Sequence, residues 1–385
     1  MKKILVISSW FPTDNDPVNG SFVYEQSAAL QKAGHRVSVL MPNLSGSARQ
    51  TLSAGGLKPG QRTRVYKKIP VHEIVQPVYF PMLKQYYTER LYKKCFHFLK
   101  TYINENGRPD ILHSHAAFMG GVIASRLSAD LNIPLVHTEH TSGLIFNPGQ
   151  YTTADRKAFA HLAEHAASFL FVSRFAREKI MQMTAARWQA TAVLPNMVNN
   201  SFFVPLPTPK GPFTVLCIGR YMPVKNHALL LTAWQSFSAR HPEARLLLAG
   251  KNLDSTDVLT LLQERGVSSS VSCMPALDRA AVYEQIVGAH VLVSSSETET
   301  FGLSLAEALA CGRPVVATNS GGPADIISPG DGFLVPRNDA GAFDEALEKI
   351  YQGQYDPPDV LSERCRARFG EALIVQALEA IYAGL

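Results

Sequence analysis

Short, continuous apolar runs alternate along this chain with longer stretches whose apolar positions recur every three or four residues. The first half carries ILVISS, GHRVSVLMP, DILHSH, PLVHTEH, SFLFVS and TAVLPN; the second carries VLCIGR, RLLLAG, VSCMP, VLVSSS, PVVAT and GFLV. Helical periodicity fills the gaps, over residues 21–33, around 83–104 and near 120–129 in the first half, and between every pair of strands in the second. Strands that are apolar throughout and separated by helices belong to parallel sheets covered on both faces. The pattern therefore predicts two such sheets in tandem. Between them FFVPLPTPKGPF crowds Pro205, Pro207, Pro209 and Pro212 into a linker, since proline suits neither a strand interior nor a helix. Domains of residues 1–204 and 205–364 follow, with a closing amphipathic helical stretch.

Chemistry concentrates in SETETFGLSLAEALACGRPVVATNSGG, residues 296–322. VLVSSS predicts a strand, SETET a loop, and LSLAEALA a helix whose first turn lies near Phe301, Gly302 and Leu303. Free N–H groups and the positive dipole end of that turn suit a phosphate. Glu299 stands at the mouth and Glu307 deeper along the helix, up to roughly 12 Å away at 1.5 Å rise per residue. In VLCIGRYMPVKN, Arg220 and Lys225 flank the next strand-to-helix turn, where a guanidinium fork and a mobile ammonium could neutralise a departing diphosphate without a metal. NSGGPADII places Gly321 and Gly322 after a strand, where backbone could approach a ligand closely.

Open parallel sheets bind ligands at the carboxyl ends of their strands. In the first half those ends carry Gly20 at a helix entrance, His113 and His115 after DIL, and His137, Glu139 and His140 after PLV. The histidine spacing lacks the carboxylate pattern of a zinc site, so core or hydrogen-bonded histidines are the plainer reading.

Together these residues resemble glycosyltransferase family 4, retaining enzymes of GT-B fold with a Glu, seven residues, Glu signature and an upstream Arg and Lys. The resemblance runs from MKKILVISSWFP to the closing helix. It implies an α/β fold of two Rossmann-like, doubly wound domains facing across a cleft, the first for the acceptor and the second for the donor. It also implies that the helix at about residues 365–385 returns to the first domain. By the same resemblance, Arg220 and Lys225 hold the donor diphosphate, Glu299 the transferred sugar and Glu307 the ribose; Gly20 lies against the diphosphate and His140 at the sugar. Asp325 is the acidic residue of the glycine segment. Asn196 is kept in PNMVN, whereas Met197 and Asn199 depart from the family's hinge run.

Composition narrows the picture. A chain of 385 residues with 46% apolar content can bury two cores. Five dispersed cysteines without a CxxC pair support neither a zinc site nor a disulfide framework and fit a cytoplasmic setting. MKKILVI is too short for a secretory leader, and no apolar run is long enough to span a bilayer. Residues 1–205 hold 23 Lys or Arg against 12 Asp or Glu, a net of +11, while residues 206–385 are acidic at −6. Residues 58–100 carry ten basic against two acidic side chains among many aromatics, which predicts an anionic membrane surface as a partner and a peripheral location at its inner face; nucleic acid is not expected.

The expected reaction moves a hexose from a nucleotide-diphosphate sugar, such as a UDP- or GDP-sugar, to a hydroxyl of a glycan or lipid-linked acceptor in surface polysaccharide synthesis. No cofactor or metal is called for. A nucleotide-sugar epimerase or a non-catalytic nucleotide-sugar-binding protein are the alternatives. A dinucleotide-dependent dehydrogenase is disfavoured because ILVISS leads to WFPTDNDPVNG and never to GxGxxG.

Overall fold

A computed structural model describes residues 1–14, 16–45 and 59–385. The chain divides into two compact units. The first comprises Met1–Val172, Arg177–Leu194 and Val375–Leu385; the second comprises Ser173–Ala176 and Pro195–Ile374. The division thus falls at Pro195, ahead of the proline-rich segment, and Ser173–Ala176 also belongs with the second unit.

In the first unit, β1 (Lys3–Ser8), β2 (Arg36–Ser45), β3 (Gly60–Tyr66), β4 (Ile69–Pro77), β5 (Ile111–His115), β6 (Leu135–Glu139), β7 (Ser168–Phe171) and β8 (Thr191–Val193) form one sheet in the order β3-β4-β2-β1-β5-β6-β7-β8. All neighbours run parallel except β3 against β4. The apolar runs became buried parallel strands: β5 and β6 are buried at every position. The β3–β4 hairpin departs from the expected all-parallel sheet. β3 reads GQRTRVY, is largely exposed, and sits at the edge, where a polar strand costs least. Its Arg62 and Arg64 both pair with the buried Glu73 of β4, Arg64 at 2.7 Å.

The second unit holds β9 (Thr214–Ile218), β10 (Arg245–Ala249), β11 (Val271–Met274), β12 (Val291–Ser294), β13 (Val315–Thr318) and β14 (Gly332–Val335), all parallel, in the order β11-β10-β9-β12-β13-β14. From β9 the chain winds outward through β10 and β11, then restarts at β12 on the other side. The C-terminal ends of β9 and β12 therefore flank the point where winding reverses, the place such sheets leave open for ligands. Trp234, Phe237, Leu246, Val293 and Phe343 fill the core beneath it.

The closing stretch is two helices. Pro358–Phe369 stays in the second unit, where the Cys365 thiol donates to the Ala306 carbonyl and Ser362 Oγ to that of Ala310. Glu371–Ala383 passes into the first unit, so the change of unit comes at Val375 rather than near residue 365. Its Tyr382 hydroxyl lies 2.6 Å from Nδ1 of His113, deep in β5, and both side chains are buried. Tyr382→Phe strands that ring nitrogen. We expect calorimetry to show the first unit destabilised by about 1–3 kcal/mol; an unchanged transition would mean the hydroxyl contributes packing alone.

Candidate active site

β9 is followed by Gly219 and Arg220, and a single 3-10 turn, Pro223–Lys225, leads to the helix His227–Arg240. Asn226 closes the turn in the left-handed conformation, φ 44°, and caps the helix by accepting from the Leu229 N–H at 3.2 Å. Asparagine tolerates that conformation better than most side chains. The loop after β12 is tied to this turn. The Glu297 N–H donates to the Val224 carbonyl at 2.8 Å, Ser295 Oγ donates to the Lys225 carbonyl at 2.9 Å, and Asn226 Nδ2 donates to the Glu297 carboxylate.

These ties set Lys225 Nζ 2.6 Å from Glu299 Oε2, with the lysine and glutamate side chains 28% and 17% exposed. Burial lowers the Lys225 pKa, but attraction to Glu299 outweighs it and the net shift is upward, so the ammonium is retained. Arg220 is exposed, makes no ion pair with another described residue, and opposes Lys225 electrostatically. The pair lies beside the N-terminus of the Leu303–Ala310 helix, capped by Gly302 at φ 100°. The first N–H groups of a helix have no partner within it. Glu299 is itself strapped down: its N–H donates to the Ser320 carbonyl at 3.0 Å and its carbonyl accepts from Gly322 at 2.8 Å. Two cations, a carboxylate and a helix N-terminus thus meet where the winding of the sheet reverses.

Several of the other expected residues are packed into the protein. Phe301 is 2% exposed and packs its ring edge-on against Phe369, so the side chain belongs to the core and only its backbone reaches the site. Glu307 is equally buried and ion-paired at 2.6 Å with Arg279, whose guanidinium lies over the Phe202 ring. Burial raises the Glu307 pKa against the pull of Arg279. At Gly321 a β-carbon would sit 2.3 Å from the Phe175 ring, and at Gly322 one would sit 2.5 Å from the Phe301 backbone. At Gly20, with φ 71°, it would meet the Trp10 carbonyl carbon at 2.3 Å. Leu303 opens the helix and is partly exposed. Asp325 accepts from the Arg174 backbone N–H at 2.6 Å and from its Nε at 2.7 Å. Met197 is buried, and Asn199 caps the 3-10 turn Asn200–Phe202, so both departures from the hinge pattern have structural work.

In the first unit the histidines form a row. His113 stacks on His115 at 4.5 Å and His115 on His140 at 5.3 Å, with His115 Nδ1 3.0 Å from His140 Nε2. Phe22 closes on His140 at 4.6 Å. His137 instead bonds Ser114 Oγ at 2.8 Å. The turn carrying His140 is built on buried Glu139, which accepts from the N–H groups of Ala117, His140 and Thr141 and from the Thr141 hydroxyl. Burial raises its pKa, but the His137 and Thr141 bonds outweigh that and keep the carboxylate ionised. Sequence reasoning saw Glu139 only as a strand end, and missed Asn226 and Arg279. Asp278 caps the helix that Arg279 opens, and no sequence signal names Glu307 as the partner of Arg279.

Comparison with known proteins gives the family and the fold. The profile described as Glycosyltransferase Family 4 matches residues 20–202, and the one described as Glycosyl transferases group 1 matches residues 199–368. The chain belongs to glycosyltransferase family 4. The D-inositol 3-phosphate glycosyltransferase of Arthrobacter sp. (strain FB24) is 29% identical over 266 residues, 64% of this chain and 63% of that one. The enzyme of the same name from Mycolicibacterium smegmatis is 27% identical over 302 residues, 72% and 68% of the two chains. The first curated relatives are thus matched over less than two thirds of their length. Among solved structures, HepE of Anabaena in complex with UDP and glucose superposes with TM-score 0.74 at 17% identity, over 100% of both chains. A sucrose-phosphate synthase from Thermosynechococcus elongatus gives 0.75 at 20% identity, over 100% of this chain and 99% of that one. The fold is GT-B, two Rossmann-like α/β domains.

The histidine row makes stability depend on pH. Burial, reinforced by neighbouring His137 and His140, pushes His113 down to about 3 from 6.5. A group depressed in the folded state stabilises fully above its unfolded pKa and loses that contribution as pH falls toward the folded one. His113 alone should therefore cost about 2 kcal/mol of stability between pH 7.5 and pH 5. His115, also driven well below its ordinary value by burial, acts in the same direction. Calorimetry at the two pH values checks this, and His113→Asn should flatten the dependence; an equal slope in that variant would assign the titration elsewhere.

Proposed function

We propose that this protein transfers a sugar, with retention, from a nucleoside diphosphate sugar to a hydroxyl of a glycan or lipid-linked acceptor. The observation that carries the reading is the juxtaposition of Arg220, Lys225 and Glu299 at the switch point of the second sheet, beside a helix N-terminus. Breaking the anomeric C–O bond builds negative charge on the leaving diphosphate and positive charge on the sugar ring. Fixed cations and helix N–H groups favour the first without reorganisation at the moment of reaction. Glu299 sits where it can accept from sugar hydroxyls once Lys225 turns to the phosphate. The pair therefore preserves both charges until the donor replaces it. Solved relatives of this fold hold UDP, or UDP with glucose, which supports a nucleotide sugar as donor.

Glu307 is the candidate for the ribose, with Arg279 having to share it. His140, held by Glu139, is the group proposed for the sugar in the first unit. Attack by the acceptor hydroxyl on the face that the diphosphate leaves, with a phosphate oxygen taking the proton, gives retention without a second carboxylate across the bond. No cofactor is required, because Arg220 and Lys225 supply the charge a metal would.

The acceptor side points to a membrane surface. Tyr79, Phe80, Met82, Leu83 and Tyr86 are all exposed around the turn Pro81–Leu83, Met82 at 91%, and Lys84 opens the following helix. Tyr87, Tyr92 and Phe98 of the same region are buried, and Arg62 and Arg64 share the single carboxylate of Glu73. The surface-seeking part is thus the tip of the helix rather than the whole of residues 58–100, of which Lys58 lies outside the described residues. No helix among the described residues is long and apolar enough to cross a membrane; the association we propose is peripheral, on the cytoplasmic face. A role in surface polysaccharide synthesis fits this placement.

A thermal-shift screen of nucleoside diphosphates and their sugars should find a donor, because a ligand at a hundred times its Kd stabilises by about 2.7 kcal/mol. With that donor, Arg220→Ala and Lys225→Ala should each lower kcat by roughly 10²–10³. Near-normal turnover in either variant would contradict the proposed charge stabilisation.

A further inference from the structure

The first unit contains a cavity of about 310 Å³ that the donor chemistry does not use. Its walls are Phe118, Leu144, Tyr151, Phe159, Ile180 and Met183, and Arg156 and Lys157 are its only charged lining residues. The volume is at the small end of the roughly 300–1,000 Å³ of small-molecule pockets and about twice that of an engineered apolar cavity that binds benzene. Phe159 and Ile180 belong to the buried core of the unit, and Phe118 stacks on Tyr151 at 4.8 Å, so the floor is preformed. Arg156 donates to the Pro148 carbonyl at 2.8 Å; Lys157 is exposed.

Two neighbours give the cavity a context. Phe118 and Leu144 follow His115 and His140 by three and four residues, and the Ala117 N–H is held at 3.1 Å by the same Glu139 carboxylate that organises the His140 turn. The cavity therefore adjoins the acceptor-side histidines. In addition, Lys84 Nζ lies 3.1 Å from Asp155 Oδ1, which joins the exposed aromatic tip to the helix Thr153–His165, whose next two residues are Arg156 and Lys157.

We propose that this cavity binds the alkyl chain of an anionic, phosphate-bearing amphiphile drawn from the membrane, with Lys157 and Arg156 at the headgroup and the chain on Phe118, Tyr151 and Ile180. An apolar interior with two cations and no carboxylate in its lining matches that chemistry and no neutral or cationic head. The inference deepens the lipid-linked acceptor of the proposed function and rests on it for its use in turnover. Binding is tested without turnover.

Butyl, octyl and dodecyl phosphate, below micelle formation, would be titrated calorimetrically into the full chain, with UDP titrated separately as the control for the second unit. The expected result is one site whose affinity rises about fourfold per methylene until the cavity is full. Ala160→Phe, which fills the cavity from the helix wall, should weaken dodecyl phosphate by about tenfold or more while leaving UDP unchanged. If that variant fails to fold, Met183→Trp fills the cavity from the opposite side. Lys157→Glu should weaken dodecyl phosphate several-fold and leave dodecanol unaffected. Equal affinities for butyl and dodecyl phosphate, or an unchanged titration in a folded cavity-filled variant, would overturn the proposal. Failure of UDP to bind while dodecyl phosphate does would sink the donor reading and leave the cavity standing. Sedimentation with phosphatidylglycerol vesicles tests the source: Phe80→Ser with Met82→Ser should abolish it while the dodecyl phosphate titration persists, and unchanged sedimentation would overturn the membrane as supplier.

Discussion

A lysine ammonium and a glutamate carboxylate 2.6 Å apart, both mostly out of water, can coexist only if each neutralises the other or an incoming ligand does so. The loops after β9 and β12 are built to keep them together. Val224 and the Lys225 carbonyl receive Glu297 and Ser295, and Asn226 grips the Glu297 side chain while capping the helix that follows. Such a pair adds little net stability, since desolvation consumes most of the attraction. Under the proposed function its value is that it stores opposite charges where a sugar diphosphate would present phosphate oxygens to one and sugar hydroxyls to the other. Arg220, exposed and unpaired among the described residues, adds positive potential without competing for Glu299.

The rest of the second unit serves that placement. Gly321 and Gly322 allow the β13 loop to lie against Phe175 and Phe301, and that loop bonds Glu299 through both of its backbone groups.

 

Glu299 is thereby fixed at the backbone while its carboxylate reaches Lys225. Phe301, buried on Phe369, anchors the entrance of the Leu303–Ala310 helix so that its first turn cannot drift from the site. In the first unit Glu139 does comparable work: one buried carboxylate gathers three backbone N–H groups and so fixes the turn on which His140 stands.

Much of the fold was legible in the sequence because parallel strands buried on both faces must be apolar throughout, and VLCIGR, VLVSSS and PVVAT are. The β3–β4 hairpin was not, since an edge strand such as GQRTRVY carries no apolar signature. Arg220, Lys225 and Glu299 were legible because each follows a strand by a few residues, and a parallel sheet brings all such ends to one edge. What escaped was pairing across elements. Nothing local says that Arg279 meets Glu307, that Glu73 pairs with two arginines, or that Gly321 and Gly322 leave room for Phe175 and Phe301. Those facts depend on which elements become neighbours, and sequence spacing does not encode that.

The most direct test of the account is a crystal structure with a non-hydrolysable nucleoside diphosphate sugar bound. The account predicts that Lys225 Nζ leaves Glu299 for a phosphate oxygen, that Arg220 joins it, and that the Glu299 carboxylate accepts from hydroxyls of the sugar. A bound donor whose diphosphate lies away from the Leu303–Ala310 N-terminus, with the Lys225–Glu299 pair still closed, would contradict it.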